Sequence, residues 1–346
     1  MSGYPSASNT TSNLPQSTVK FYDKNFIENL KAETPFVRCS ERRDLPVNSG
    51  NQLVLFEYNP FGANTTQTNE GNPGNGITTS LVTNTSTIGE YADYASFSSL
   101  SVITAIDNTV ENVAKELSYR LGQSLSNLVR YQTDGASAID SSALVQLAAA
   151  SASSFTPISI GVIRAQVQSL AGRSVRPFIE GKKRFAGIIH PFAWGDAIND
   201  SSNNSPIDVL KHTPEGLMKM EDLPSADLTE VFELPGTGVD FFQTNLVTMT
   251  GSYKSTTGTA LRTYIFGRDG VISINLAGRG DTSYGDGNYR GIKCNVIQNA
   301  APSVSDAEGL IPAWTSYKVH FTTTLPPDST ARVRLIDAST NLKLAA

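Results

Sequence analysis

Residues 100–131 place an apolar side chain at every third or fourth position: Ile103, Ile106, Val110, Val113, Leu117, Leu121, Leu125 and Leu128. That spacing is the period of one face of an α-helix. Asp107 suits the N-cap, Glu111 and Glu116 lie toward the positive end of the helix dipole, Arg130 lies at the negative end, and Asp134-Gly135 stops the run. A helix over residues 108–131 is ~36 Å long at ~1.5 Å per residue. A rod of that length acts as a beam, and the rest of the domain has to be laid against it.

Ahead of the beam, Leu53, Val54, Leu55 and Phe56 form a strand-like run that ends at Asn59-Pro60. Residues 62–76 are turn-forming, with Glu70 as their only ionisable side chain, and a β-branched return follows over residues 77–88. This predicts a long two-stranded hairpin. An isolated hairpin is marginal in water, so it is expected to lie across another surface. Leu53, Leu55, Phe56, Tyr58 and Phe61 near its base, with Glu70 in its tip, are the expected contacts between subunits. Further upstream, residues 19–30, with Phe21 and Phe26, form a short amphipathic helix or a docking arm, and residues 1–17 have the composition of a disordered tail.

Beyond the beam, the Ala- and Ser-rich residues 135–154 read as a linker or a loosely specified helix. Residues 159–170 have a helical pattern stopped by Gly172, and residues 185–189 read as a buried strand. Pro191 follows His190 and is placed as the first residue of a helix to residue 198. Residues 206–220 add a second amphipathic stretch. From residue 231 the pattern changes to strands, at 239–244, 262–266, 271–276, 317–323 and 331–336. Helices between separated strands make the class α+β.

The chain of 346 residues is long enough to bury a sizeable core without disulfides or metals. Its net charge of −5 lacks the basic footprint of a dedicated nucleic-acid binder. Charged residues are only 17% of the chain, a hint that much of its surface is covered by copies of itself. Cys39 and Cys294 show no metal or disulfide spacing and are expected to be buried free thiols. No stretch is apolar enough for a membrane span, and the N-terminus lacks a signal-peptide pattern.

Catalytic signatures are missing too. His190, His212 and His320 stand apart, and there is no Walker A, G-x-S-x-G or paired-carboxylate pattern. Arg279-Gly280-Asp281 is read as an exposed loop, and the acids after it fail the calcium-loop spacing. No enzyme activity, cofactor or metal is expected. Two basic clusters remain, Arg38/Arg42/Arg43 and Arg173/Arg176/Lys182/Lys183/Arg184. Of the second, Arg176, Lys182, Lys183 and Arg184 are the expected intersubunit contacts; salt bridging between subunits or a solvated face outweighs phosphate contact.

Specific blocks carry a family resemblance. Phe21-Tyr22-Asp23-Lys24-Asn25-Phe26 followed by Leu45-Pro46-Val47-Asn48-Ser49-Gly50 resembles the arm and first hairpin strand of the podophage-type subfamily of tailed-bacteriophage major capsid proteins, the Hong Kong-type or Johnson fold. Residues 94–128, with Thr104-Ala105-Ile106-Asp107, are similar to that family's approach to its spine helix, and Ile189-His190-Pro191 to its axial-domain turn. The blocks Gly238-Val239-Asp240-Phe241-Phe242-Gln243-Thr244 and Tyr264-Ile265-Phe266-Gly267-Arg268-Asp269, and the closing residues 314–338, also resemble it. The likeness covers residues 18–338, and the acidic, Pro-containing stretch 218–230 departs from it.

The resemblance implies an N-terminal arm (residues 1–50), an extended hairpin loop (51–98) and a peripheral domain with the spine helix (99–158). An axial domain (159–235) and its remaining strands with the return to the peripheral domain (236–346) complete the chain. It implies a major capsid protein that self-assembles as pentamers and hexamers into the icosahedral head of a tailed phage, built in the bacterial cytoplasm and resident in the virion. The implied partners are the chain itself, packaged double-stranded DNA by non-specific contact, a portal, and scaffold or decoration proteins, with no membrane. A same-fold nanocompartment shell is the alternative, ahead of a hydrolase or carbohydrate-binding protein. Lys-to-Asn crosslinking, known in some relatives, finds no support because the hairpin tip has no lysine.

Overall fold

The computed structural model describes residues 26, 29, 30, 34–45, 49–58, 61, 65, 76–104, 109–147, 156–178, 184–198, 231–234, 237–250, 260–276, 292–297, 308, 310–327 and 331–340. Among these, the strands are β1 (Glu41–Leu45), β2 (Gln52–Tyr58), β3 (Leu81–Thr87), β4 (Gly89–Phe97), β5 (Leu144–Gln146), β6 (Phe185–Ile189), β7 (Val231–Leu234), β8 (Val239–Gln243), β9 (Met249–Thr250), β10 (Ala260–Phe266), β11 (Ile272–Leu276), β12 (Lys293–Ile297), β13 (Ala313–Thr324) and β14 (Val333–Ser339). The helices are α1 (Pro35–Arg38), α2 (Ser99–Thr104), α3 (Thr109–Asp134), α4 (Ala136–Ile139), α5 (Ile160–Gly172) and α6 (Pro191–Ile198). The class is α+β, as expected.

The strands form three sheets. One is seven-stranded, ordered β5-β14-β10-β6-β8-β7 with β9 also on β10. A second is five-stranded, ordered β1-β11-β13-β12, with β4 on the other edge of β13. The third is the hairpin β2-β3.

The beam is real: α3 has 26 residues and spans ~39 Å. Its buried face differs from the expected stripe. Leu117, Leu121, Leu125 and Val129 form one buried row, and Val110, Ala114, Ser118, Gly122 and Ser126 form the adjacent row. Small residues in the second row let neighbouring backbone approach closely. The Ser118 and Thr133 hydroxyls are satisfied by carbonyls of their own helix, Lys115 O and Val129 O, so their burial leaves no unmet donor. Ile103, expected on the core stripe, sits instead on the separate helix α2 and is 81% exposed. Asp107 lies outside the described residues.

The main core wraps α3 and draws on both larger sheets. Tyr264, Phe266, Val333 and Leu335 come from the seven-stranded sheet, Tyr317, Val319 and Phe321 from the five-stranded one, and Phe26, Leu30, Phe36 and Val37 from the arm. Phe36 meets Tyr264 edge to face, ring centroids 5.0 Å apart. On the opposite face of the seven-stranded sheet, Ile160, Ile163 and Leu170 of α5 and Ala193 and Ala197 of α6 pack on Ile189, Phe241, Ile265 and Ile336. That face explains α5: Ser159 caps it by accepting from Val162 N, and its apolar positions recur at helical spacing. Pro191 opens α6 as expected.

Three stretches hold elements that were not expected. Residues 135–154 were read as linker or helix, but they hold α4, a 3-10 turn at Ser141–Ala143, and β5, which runs parallel to β14. β1 pairs in parallel with β11 although its sequence, Glu-Arg-Arg-Asp-Leu, is charge-rich. β4 pairs with β13 over nine residue pairs from Phe97↔Ala313 to Gly89↔Phe321. Residues 206–220 and the loop at 279–281 lie outside the described residues.

The two larger sheets meet where β10 leads into β11 and β13 leads toward β14. Gly267 N donates to Arg332 O at 2.9 Å, so the two connections touch backbone to backbone. A Cβ on Gly267 would stand 2.4 Å from Val175 Cγ1 and 3.0 Å from Arg332 O. Gly267→Ala is therefore expected to cost about 1–3 kcal/mol by overpacking. The check is a drop in urea midpoint at unchanged m-value; an unchanged midpoint would mean the joint has slack.

A charged joint also ties α3 to the seven-stranded sheet. Asp134, at the end of the helix, accepts from Arg262 Nη1, Tyr264 OH and Thr248 Oγ1 at 3.0, 3.0 and 2.6 Å. Arg262 makes a bidentate pair with Asp337 at 2.7 and 2.8 Å. Hydrogen bonding to Asp337, with Asp134 adding to it, holds Arg262 well above its ordinary pKa against the opposing effect of burial.

Candidate assembly surfaces

The hairpin has two unlike faces, because alternate residues of a strand point to opposite sides. Leu53, Leu55 and Glu57 face the body. Leu55 packs with Leu45, Ile272 and Ile274, and Leu53 lies against this cluster. Asn84 of β3 donates to Thr324 Oγ1 and Leu325 O, both at 3.0 Å, and Glu57 pairs with Arg332 beside the joint between the sheets. The base of the hairpin is thus clamped to its own subunit. Phe26 is likewise 3% exposed and packs with Tyr317. Leu55 and Phe26, expected to reach a neighbour, instead anchor the hairpin and arm to their own core.

The other face carries Val54, Phe56 and Tyr58 of β2, with Leu81, Thr83 and Thr85 opposite them on β3. Val54 is 52%, Phe56 63%, Tyr58 60% and Leu81 51% exposed, and no charged residue interrupts them. Phe61 beyond them is exposed as well. Apolar rows of this kind on a soluble chain mark contact surfaces.

A second exposed apolar group sits at one end of the five-stranded sheet. Leu100 and Ile103 of α2 lie beside Leu310 and Ile311, with Ser99 N donating to Leu310 O at 2.9 Å. The sequence concealed it, because Ile103 continues the period of the core-facing stripe.

Of the expected basic contacts, Arg184 is paired internally with Asp240 at 2.9 Å and Arg176 lies near the sheet joint, its carbonyl accepting from Arg268 N. Phe21, Glu70, Lys182 and Lys183 lie outside the described residues. In the other cluster, Arg42 pairs with Asp44 at 2.7 Å and Arg43 lies 3.9 Å from Glu41. Two acids flanking two arginines along β1 neutralise it locally.

His190 is a capping residue. Its Nδ1 accepts from Phe192 N at 3.1 Å at the start of α6, and burial holds its pKa below the ordinary 6.5. A base with a depressed folded pKa leaves the unfolded chain binding more protons, so stability falls as pH drops below ~6.5 and levels off below the folded value. His190→Asn is expected to keep the cap and remove that acid-side loss, whereas His190→Ala costs about 1 kcal/mol at neutral pH. Thermal melts across pH 4.5–7.5 separate the two; a wild-type profile in the Asn variant would mean His190 does not titrate in folding.

Among the described residues no group of His, Cys, Asp and Glu could hold a metal ion, and no helix is long and apolar enough to cross a membrane. A hollow of about 430 Å³ is lined by Glu41, Phe178, Arg268 and Asp269. Asp269 there has its pKa raised by burial, with Arg332 opposing. Cys39 and Cys294 are buried free thiols, and burial pushes the Cys39 pKa far up.

A clamped hairpin, a spine helix and two sheets joined behind it make the Hong Kong-type fold of phage capsid proteins. The capsid of Ralstonia phage GP4 is similar over 89% of this chain and 89% of its own, with a TM-score of 0.62 and 12% identity. The capsid of Helicobacter pylori bacteriophage KHP30 is similar over 89% and 92%, at 0.56 and 8%, and that of Cyanophage Pam1 over 88% and 93%, at 0.55 and 12%. No protein-family model matches the chain, and no curated protein matches it in sequence.

Proposed function

We propose that the chain is the major capsid protein of a tailed phage, many copies of which close into the head shell around double-stranded DNA. The observation that carries this is the capsid fold over nearly nine-tenths of the chain, with a charge-free apolar hairpin face left open at the subunit surface. A subunit that presents an apolar arm gains little alone and much in a closed array, where each weak contact is multiplied. The low charged fraction, 17%, supports the same reading.

On this reading residues 1–50 are the arm, 51–98 the extended loop, 99–158 the peripheral domain, 159–235 the axial domain and 236–346 the returning strands. Phe56, Tyr58 and Phe61 mark the hairpin contact, with Phe21, Glu70, Arg176, Lys182 and Lys183 as further contacts, whereas Leu53 joins Leu55 in anchoring the hairpin to its own subunit. The same proposal takes the shell to be built of pentamers and hexamers in the bacterial cytoplasm, with a portal and scaffold or decoration proteins as its further partners. The podophage-type assignment rests on the sequence blocks alone.

Electron microscopy of the purified protein, with nucleic-acid analysis of any particles from infected cells, tests the proposal. Closed shells holding double-stranded DNA are expected. Shells filled with protein cargo would make it a nanocompartment, and a monomer of about 37 kDa under all salt conditions and with a scaffold would overturn assembly altogether.

A further inference from the structure

Arg334 of β14 is 1% exposed, and no carboxylate pairs with it among the described residues. Its Nη1 donates to Ser142 O and, at 3.3 Å, to Ser142 Oγ; its Nη2 donates to Ser169 Oγ at 2.8 Å; its Nε has no acceptor among the described residues. The nearby acid is already engaged. Asp140 Oδ2 takes Arg173 Nη1, and its Oδ1 accepts Ser142 N and Oγ at 2.9 and 2.7 Å. Arg173 Nη2 also donates to Ser142 Oγ. Hydrogen bonds from Ser142 and Arg173 hold the Asp140 carboxyl below its usual range despite burial, so it stays charged. Two guanidiniums therefore share one carboxylate. Arg173 sits at the carbonyl end of α5, which supplies about half a negative charge at most, and the cluster keeps a net positive charge.

Burying an uncompensated cation is costly, and the cost falls when an anion arrives from outside. Burial and the Arg173 charge together lower the Arg334 pKa, with Asp140 only partly opposing. Ser142 and Arg173 are exposed and form the way in. Position in the sheet points to the source of the anion. The cluster lies beside β5, one edge of the seven-stranded sheet, and the opposite edge is β7. In sequence, the connection that leads into β7 carries Glu221, Asp222, Asp227 and Glu230, which lie outside the described residues. A contact between two unlike surfaces of the same chain repeats head to tail, and where its rotation closes it generates a ring.

We propose that Arg173, Arg334 and the Ser141–Ala143 turn form a carboxylate-binding site, filled in the assembly by an acidic side chain from the 221–230 segment of a second copy. This rests on the capsid reading and adds the partner and its chemistry. Opposite charges on the two sides of such a contact select the neighbour and set its register.

The test is a charge-swap series in the full chain, read by the assembled fraction in sedimentation velocity and by melting of the unassembled protein. Arg173→Glu is expected to lower the assembled fraction roughly tenfold or more, the effect of ~1.4 kcal/mol per contact, and the melt of the unassembled protein separates this from the cost of losing the Arg173–Asp140 pair. Adding Asp222→Lys and Asp227→Lys to Arg173→Glu is expected to restore most of it. Normal assembly of Arg173→Glu, or no rescue by the swap, overturns the site while wild-type shells leave the capsid reading standing. If inorganic phosphate stabilises the unassembled wild type but not Arg173→Glu, and both assemble equally, the site takes a free oxyanion and the partner assignment is wrong. A wild-type chain that never assembles sinks the capsid reading itself.

Discussion

Arg262→Ala is expected to lower the unfolding free energy of the unassembled subunit by about 3–5 kcal/mol, the range for removing one member of a buried ion pair. The Asp337 side chain is 1% exposed and has Arg262 as its bidentate partner, so the substitution leaves a buried carboxylate without its counter-charge. Asp134 loses one of its donors at the same time, which loosens the end of α3 from β10. The size of the loss comes from the stranded anion more than from the lost bonds, and this has a direct consequence. Arg262→Met combined with Asp337→Asn is expected to be more stable than Arg262→Ala alone, since no buried charge is then unpaired. Urea unfolding of the three proteins decides the matter. A loss below about 1 kcal/mol for Arg262→Ala would place the joint in effectively high dielectric, worth no more than a surface salt bridge.

The second large effect is on assembly. Phe56→Ser with Tyr58→Ser is expected to leave the subunit fold within about 1 kcal/mol of wild type, because both rings are mostly exposed and their removal opens no cavity. Shell formation is expected to fail or to give fragile particles, since aromatic anchors carry most of the energy in contacts of this kind. The base stays clamped through Leu55, Asn84 and Glu57, so the variant tests docking and leaves hairpin folding alone. Replacing residues 62–76 by a tight Asn-Gly turn asks the same of the tip. Normal shells of unchanged thermal stability from both variants would make the hairpin a decoration and remove the main physical link from this sequence to a shell.

Local pattern determined a good deal. The 3.6-residue period over residues 110–129, the helical pattern stopped by Gly172, Pro191 at a helix start and the β-branched return of the hairpin each depend on neighbours within a turn or a strand, so the sequence displays them. The resemblance in ordered blocks extended this to the fold.

What the sequence could not display depends on partners far along the chain. β1 is a strand because β11, some 230 residues later, offers it an edge; by composition it is a charged loop. Ile103 continues the apolar period yet faces solvent, because α2 is a separate helix. Leu55 and Phe56 are adjacent and equally apolar, and the pleat sends one into its own core and the other outward. Arg334 looks like any arginine until β14, α5 and the 3-10 turn enclose it away from a free carboxylate. Local dihedral preference and periodicity are properties of short segments, whereas burial and charge pairing belong to groups brought together by the chain's return, and those only the tertiary structure decides.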